Sequence, residues 1–294
     1  MMGAGRIPSV RPMAALLLVG LLLWAAAASG TDSPEGYLQV TGPCGLEFPR
    51  DHGPHPGFRT EWWYYTGNLV TETGRRLGFQ LTFFRHQMTP FGASADWPTP
   101  PSAWRTRQLY LAHAAVSDIS GRRHLQSEQA GREALGMAGW VQNGDEMRVF
   151  VRDWSAVILP DRHRLEANAD GFSFQLELVP AKGPVRHGIE GYSRKGSTAE
   201  RASCYYSLTR LETTGTVTLA DRQPVGVTGT SWRDHEFSTA PLEAGTVGWD
   251  WFSVQLADRS EFMIYLLRRE DGSLAPASSG TYVDPLGVPR HLER

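Results

Sequence analysis

Residues 61–85, EWWYYTGNLVTETGRRLGFQLTFFR, decide the fold. The first arm sets Trp62, Trp63, Tyr64 and Tyr65 in succession, and the second alternates Leu77, Phe79, Leu81 and Phe83 with Gly78, Gln80, Thr82 and Phe84. A period of two sends one set to a buried face of a strand and the other to the opposite face. The polar turn between the arms carries Gly74, where a positive φ costs little, so the stretch predicts a β-hairpin.

The pattern returns at residues 249–268, WDWFSVQLADRSEFMIYLLR. Trp62, Tyr64, Tyr65 and Leu69 correspond to Trp249, Trp251, Phe252 and Leu256, and Phe79, Leu81 and Arg85 correspond to Phe262, Ile264 and Arg268. Each copy follows the same tripeptide, Arg50-Asp51-His52 and then Arg233-Asp234-His235. The interval is too long for a solenoid, so the repeat predicts a domain duplication.

Further strands are expected at 108–119 (Leu109, Leu111 and His113 on one face), 140–151, 156–159, 164–169, 171–179, 204–211, 215–219 and 225–229. In 171–179, Phe172, Phe174, Leu176 and Leu178 share a face. Residues 127–136 are the one helix candidate, and the Pro-rich 48–59, the long 89–107 (with Trp97 and Trp104) and 230–237 (TSWRDHEF) read as loops. The expected class is all-β: a first barrel over 36–197, a Gly-rich connector over 182–197, and a second barrel over 198–294. The second holds fewer strands than the roughly eight that close a small barrel, so it is expected to be incomplete at its C-terminus.

Arg6 and Arg11, then an apolar run over 13–28 ending in small residues, predict a signal peptide over 1–28 and export to the periplasm or medium. An uncleaved anchor is the alternative, against which the run is short. The formal charge of −2 gives no footprint for nucleic acid. The two cysteines, Cys44 and Cys204, either pair in an oxidising compartment or are buried small hydrophobes.

Asp234, His235 and Glu236 carry the residue types of acid–base chemistry, and burial beside Trp249 and Trp251 would keep a carboxyl protonated. The alternative for the RDH tripeptides, since both halves carry one, is a structural fastening. Arg50, Asp51 and Glu61 are expected to tie the loop before the first hairpin to the sheet, with Arg59, Arg85 or a backbone donor facing Glu61. His52 and His55 have a spacing metals use but lack a third ligand, so no metal is expected. Of the aromatic quartet two residues should be core, leaving others to line a ligand site. No hydrolase motif and no cofactor motif is present.

In residues 48–69 (FPRDHGPHPGFRTEWWYYTGNL), 78–85 (GFQLTFFR), 204–211 (CYYSLTRL), 227–237 (VTGTSWRDHEF) and 248–256 (GWDWFSVQL) the chain resembles the secreted AttH-like proteins, relatives of carotenoid 1,2-hydratases. The resemblance implies two lipocalin-like barrels, an apolar or amphipathic ligand such as a lipid or polyene, and an ABC-type exporter or permease as partner. It also implies an alternative as a hydratase-like enzyme or predicted hydrolase, with Asp234, His235 and Tyr265 catalytic and Trp62, Tyr64, Trp249, Trp251 and Phe237 lining the ligand. Where the hydratases carry Asp-His-x-Trp and then an acidic residue on a strand, this chain has Phe237 and Tyr265.

Overall fold

The computed structural model describes residues 36–90, 98–219 and 223–292. The expected signal peptide and Trp97 of the long loop lie outside the described residues. Strands β1 (Thr60–Thr71) and β2 (Arg76–Gln87) are the expected hairpin. There follow β3 (Gln108–Asp118), β4 (Arg123–Arg132), β5 (Ala138–Asn143), β6 (Glu146–Val151), β7 (Trp154–Ile158), β8 (His163–Ala169) and β9 (Phe172–Pro180). Short β10 (Val185–Arg186) and β11 (Tyr192–Arg194) precede two long strands, β12 (Ala202–Leu219) and β13 (Val225–Ser238). The last four are β14 (Thr246–Gln255), β15 (Glu261–Arg269), β16 (Ser279–Val283) and β17 (Pro289–Leu292).

Among the described residues the fold is all-β, apart from a 3-10 turn at Arg50–His52. A 13-stranded antiparallel sheet runs β4-β3-β2-β1-β13-β12-β9-β8-β7-β6-β5, with β10 and β11 also paired to β12. Its end strands β4 and β5 approach each other, so it is a nearly closed barrel. The interior is filled rather than hollow. Trp63, Tyr65, Phe83, Trp154, Phe174 and Leu178 are buried in one apolar cluster, as the alternating residues of β1, β2 and β9 require. The outward face of β3, with Leu109 and Leu111, is exposed.

Strands β14–β17 form a separate four-stranded sheet. Met263, Tyr265 and Leu267 of β15 pack against Tyr205 of β12 and Trp232 of β13, which seats the small sheet on the larger one. The second expected hairpin is therefore present as β14–β15.

Three expectations need correction. Residues 127–136 are not helical: 123–132 form β4, in full register with β3. Strand pairing overrides the helix-forming Ser-Glu-Gln-Ala run, and the alternating half-exposure of its side chains fits a sheet edge. Residues 230–237 are not a loop but the C-terminal part of β13, paired on both sides with β1 and β12. Their charges misled because each finds a buried partner across the sheet. The larger sheet does not divide near residue 197, since β12 and β13 complete it between β1 and β9.

Cys44 and Cys204 form a disulfide with a Cα–Cα distance of 5.8 Å. The bond pins the segment before β1 to the start of β12, where Val40, Leu46, Tyr206 and Phe237 pack around it.

Candidate functional site

Strand β13 runs through the middle of the larger sheet, so its side chains alternate between two buried environments. Arg233, His235 and Phe237 face one side; Trp232, Asp234 and Glu236 face the other, towards the small sheet. Asp234 and His235 are neighbours in sequence that cannot act on one another. The expected Asp–His acid–base pair is thus divided between two clusters.

On the first side the centre is Glu61, fully buried on β1. It accepts hydrogen bonds from Arg85 Nε at 2.8 Å, His55 Nδ1 at 2.7 Å and His235 Nε2 at 2.8 Å. The expectation of Arg85 or a backbone donor facing Glu61 is met twice, because the His55 backbone N–H also donates to it at 2.9 Å. Arg85 reaches on to the carbonyls of His55 and Phe58, which fastens the Pro-rich loop to the hairpin. Asp51 accepts from Arg50 and caps the Glu47 N–H.

Arg233 and His52 meet at the hydroxyl of Tyr206, with Arg233 Nη1 at 2.8 Å and His52 Nδ1 at 2.7 Å. The two RDH tripeptides therefore converge in space, although one is a 3-10 turn and the other a strand. Burial pushes the Glu61 carboxyl up, but Arg85, His235 and His55 outweigh it and hold it well below the usual carboxylate range. Burial takes His235 down to about 3, despite Glu61. The cluster is a closed network of an ionised carboxylate and a neutral imidazole. Phe237 belongs to it, buried and stacked on His55 with 3.6 Å between ring centroids, on the opposite face of β13 from Trp251.

The second side differs in its balance. Asp234 accepts from Trp232 Nε1 at 2.6 Å, from the Tyr205 hydroxyl at 2.9 Å and from Ser207 Oγ. The Tyr205 oxygen in turn accepts from Trp251 Nε1 of β14 at 3.1 Å. Ser207 Oγ lies 2.6 Å from His187 Nε2, whose Nδ1 lies 2.9 Å from Thr281 Oγ1 of β16. A hydrogen-bonded chain thus runs from one sheet, through the carboxyl, to the other. Among the described residues no cation pairs directly with Asp234, and burial outweighs its three donors and pushes its pKa up to about 7.

Beside it Lys195 Nζ lies 3.3 Å from Glu236, 3.1 Å from Ser193 Oγ and 3.8 Å from the centroid of the Tyr265 ring. Burial lowers the Lys195 pKa, but Glu236 and Tyr265 outweigh it, so the ammonium stays charged. Tyr265 donates its hydroxyl proton to the Arg194 carbonyl at 2.9 Å. Of the predicted ligand residues, Trp62, Tyr64 and Trp251 are half-buried on this side, with Tyr64 and Trp251 edge to face at 5.3 Å. Trp249 is half exposed.

The structure thus brings together Asp234, Tyr265, Trp251 and Tyr64, and removes His235 and Phe237 from them. Sequence reasoning missed Tyr205, Ser207, His187 and Lys195. Only Lys195 left a signal, as one of two lysines in the chain. Two surface clefts, of about 200 and 330 Å³, lie along Asn168–Ser173 and Thr216–Thr218 at the far end of β12, away from both clusters.

A family profile described as AttH-like matches residues 39–294. The fold is similar to that of a Nitrosomonas europaea protein described as an AttH candidate. That match has 34% identity and a TM-score of 0.75, covering 87% of this chain and 75% of that one. It is also similar to kievitone hydratase from Nectria haematococca at 10% identity and a TM-score of 0.58, covering 87% of this chain and 71% of that one; this likeness is one of fold. Comparison with curated proteins gave no match.

Proposed function

The chain belongs to the AttH-like family, and from that membership and the geometry of the seam between its sheets we propose an exported acid–base enzyme of hydratase type. Its substrate is an apolar or amphipathic alkene, and Asp234 is the proton donor. One observation carries the reading: a carboxyl enclosed by Tyr205, Trp232 and Trp251 whose pKa is pushed up to about 7. A general acid works best when its pKa lies near the operating pH.

In the reaction the Asp234 carboxyl gives its proton to one alkene carbon. The cation left on the other carbon is faced by the aromatic rings of the seam, and water adds to it. The carboxylate then takes a proton from the added water, so the net change is addition of one water. Tyr265 and the charged Lys195 hold the wall of the seam; His235 takes no part in the transfer. The Cys44–Cys204 disulfide supports export, because such bonds persist in oxidising compartments.

A second reading is binding without chemistry, with a lipid or polyene held on Trp62, Tyr64 and Trp251. The packed barrel interior supports the seam over the barrel as the seat of such a ligand. The test is incubation of the protein with a panel of polyenes and prenylated phenols, followed by mass spectrometry. A product heavier by one water, lost in Asp234→Asn and retained in a folded His235→Gln, is expected. Ligand retention without any hydrated product would favour binding alone.

A further inference from the structure

We propose that His55, Glu61 and His235 form a binding site for a divalent transition-metal ion of borderline softness, separate from the Asp234 seam. The donor atoms come from three elements: the Pro-rich loop, β1 and β13. They lie within 4.8 Å of one another, and among the described residues this is the group of histidine and acidic side chains so arranged. Two imidazoles and a carboxylate are a donor set that suits zinc and its neighbours.

The second observation concerns what holds the donors. Each one has its remaining polar atom fixed from behind: His55 Nε2 by Asp51 at 3.3 Å, His235 Nδ1 by Tyr206 at 3.0 Å and Glu61 Oε2 by Arg85 at 2.8 Å. Outer partners of this kind orient metal ligands, and the Asp51 carboxylate behind His55 also raises that imidazole's basicity. Without an ion, Glu61 Oε1 is bridged by His55 Nδ1 and His235 Nε2 at 2.7 and 2.8 Å.

The ion takes the place of those bridging protons. The His235 proton moves to Nδ1, where the Tyr206 oxygen accepts it, and the His55 Nδ1 proton leaves to solvent. Metal bonds of about 2.1 Å place tetrahedral donors roughly 3.4 Å apart, so the trio must open slightly. His55, carried by the loop and not by a strand, is the member that shifts. Arg85 and Arg233 oppose the added charge, Arg233 Nη2 lying 3.5 Å from His235 Nδ1; affinity is therefore expected in the micromolar range. Both thiols are tied up in the disulfide and do not compete.

The test is calorimetric titration of the chelator-stripped full chain with zinc sulfate. One ion per chain is expected, bound at least tenfold more weakly by His55→Gln, and as in the parent by His124→Gln, whose ring sits at the surface against Ser117. If His55→Gln loses its fold, cobalt bound to the parent chain decides: visible bands of a nitrogen-ligated ion are expected. Absence of zinc binding, parental affinity in a folded His55→Gln, or the spectrum of hydrated cobalt would overturn the proposal.

Discussion

At the scale of single residues, two buried carboxylates take opposite states because their partners differ. Glu61 meets a guanidinium and two imidazoles and is ionised; Asp234 meets two hydroxyls and an indole and is held near neutrality. Neutral donors do not offset the loss of hydration that a nearby cation would. The consequence for stability has a definite sign. The folded pKa of Asp234 lies above its unfolded value, so the folded chain binds the proton more tightly. Its contribution is complete below about pH 4 and is lost as pH rises through about 7, a change of roughly 4 kcal/mol. Urea denaturation across that window should show the parent chain losing stability with rising pH relative to Asp234→Asn, because buried neutral histidines such as His235 add a slope of the opposite sign to both proteins. In Asp234→Asn this component should be absent; equal slopes in both would count against the assignment.

At the scale of elements, β13 shows what could be read in the sequence and what could not. The aromatic hairpin, the alternation in β2 and β9 and the second hairpin were legible, because each strand buries one apolar face and its period survives in the residues. Strand β13 was not. Its charged run is buried on both faces, with Glu61, Tyr206, Tyr205 and Ser207 as partners from two other strands, so no apolar period marks it. The same blindness joined Asp234 to His235, where knowledge of a strand would have parted them. The Cys44–Cys204 pairing, one of two readings left open, needed the fold to bring residues 160 apart within bonding distance. A bond closing so long a loop restricts the unfolded chain, and its loss should cost about 2–5 kcal/mol. Thermal melts of the reduced protein, and of the Cys44→Ser/Cys204→Ser double variant, should both show a lowered Tm. An unchanged Tm would mean that the packing around the bond suffices alone.

At the scale of the whole molecule, the two lysines of the chain both mark the seam between the sheets. Lys195 pairs with Glu236, and Lys182 joins Arg210 on the fully buried Glu261 of β15. Apolar packing of Tyr205, Trp232 and Met263 closes the space between these ion pairs, and Asp234 sits within it. The small sheet therefore does more than cover the large one: it supplies Trp251 to Tyr205 and Thr281 to His187, and so dries the environment that holds the carboxyl protonated. The most direct test is a carboxyl carbon NMR titration of the full chain labelled at aspartate, with the Asp234 signal assigned by its loss in Asp234→Asn. A midpoint near 7 is predicted. A midpoint near 4, as for an ordinary aspartate, would contradict the account.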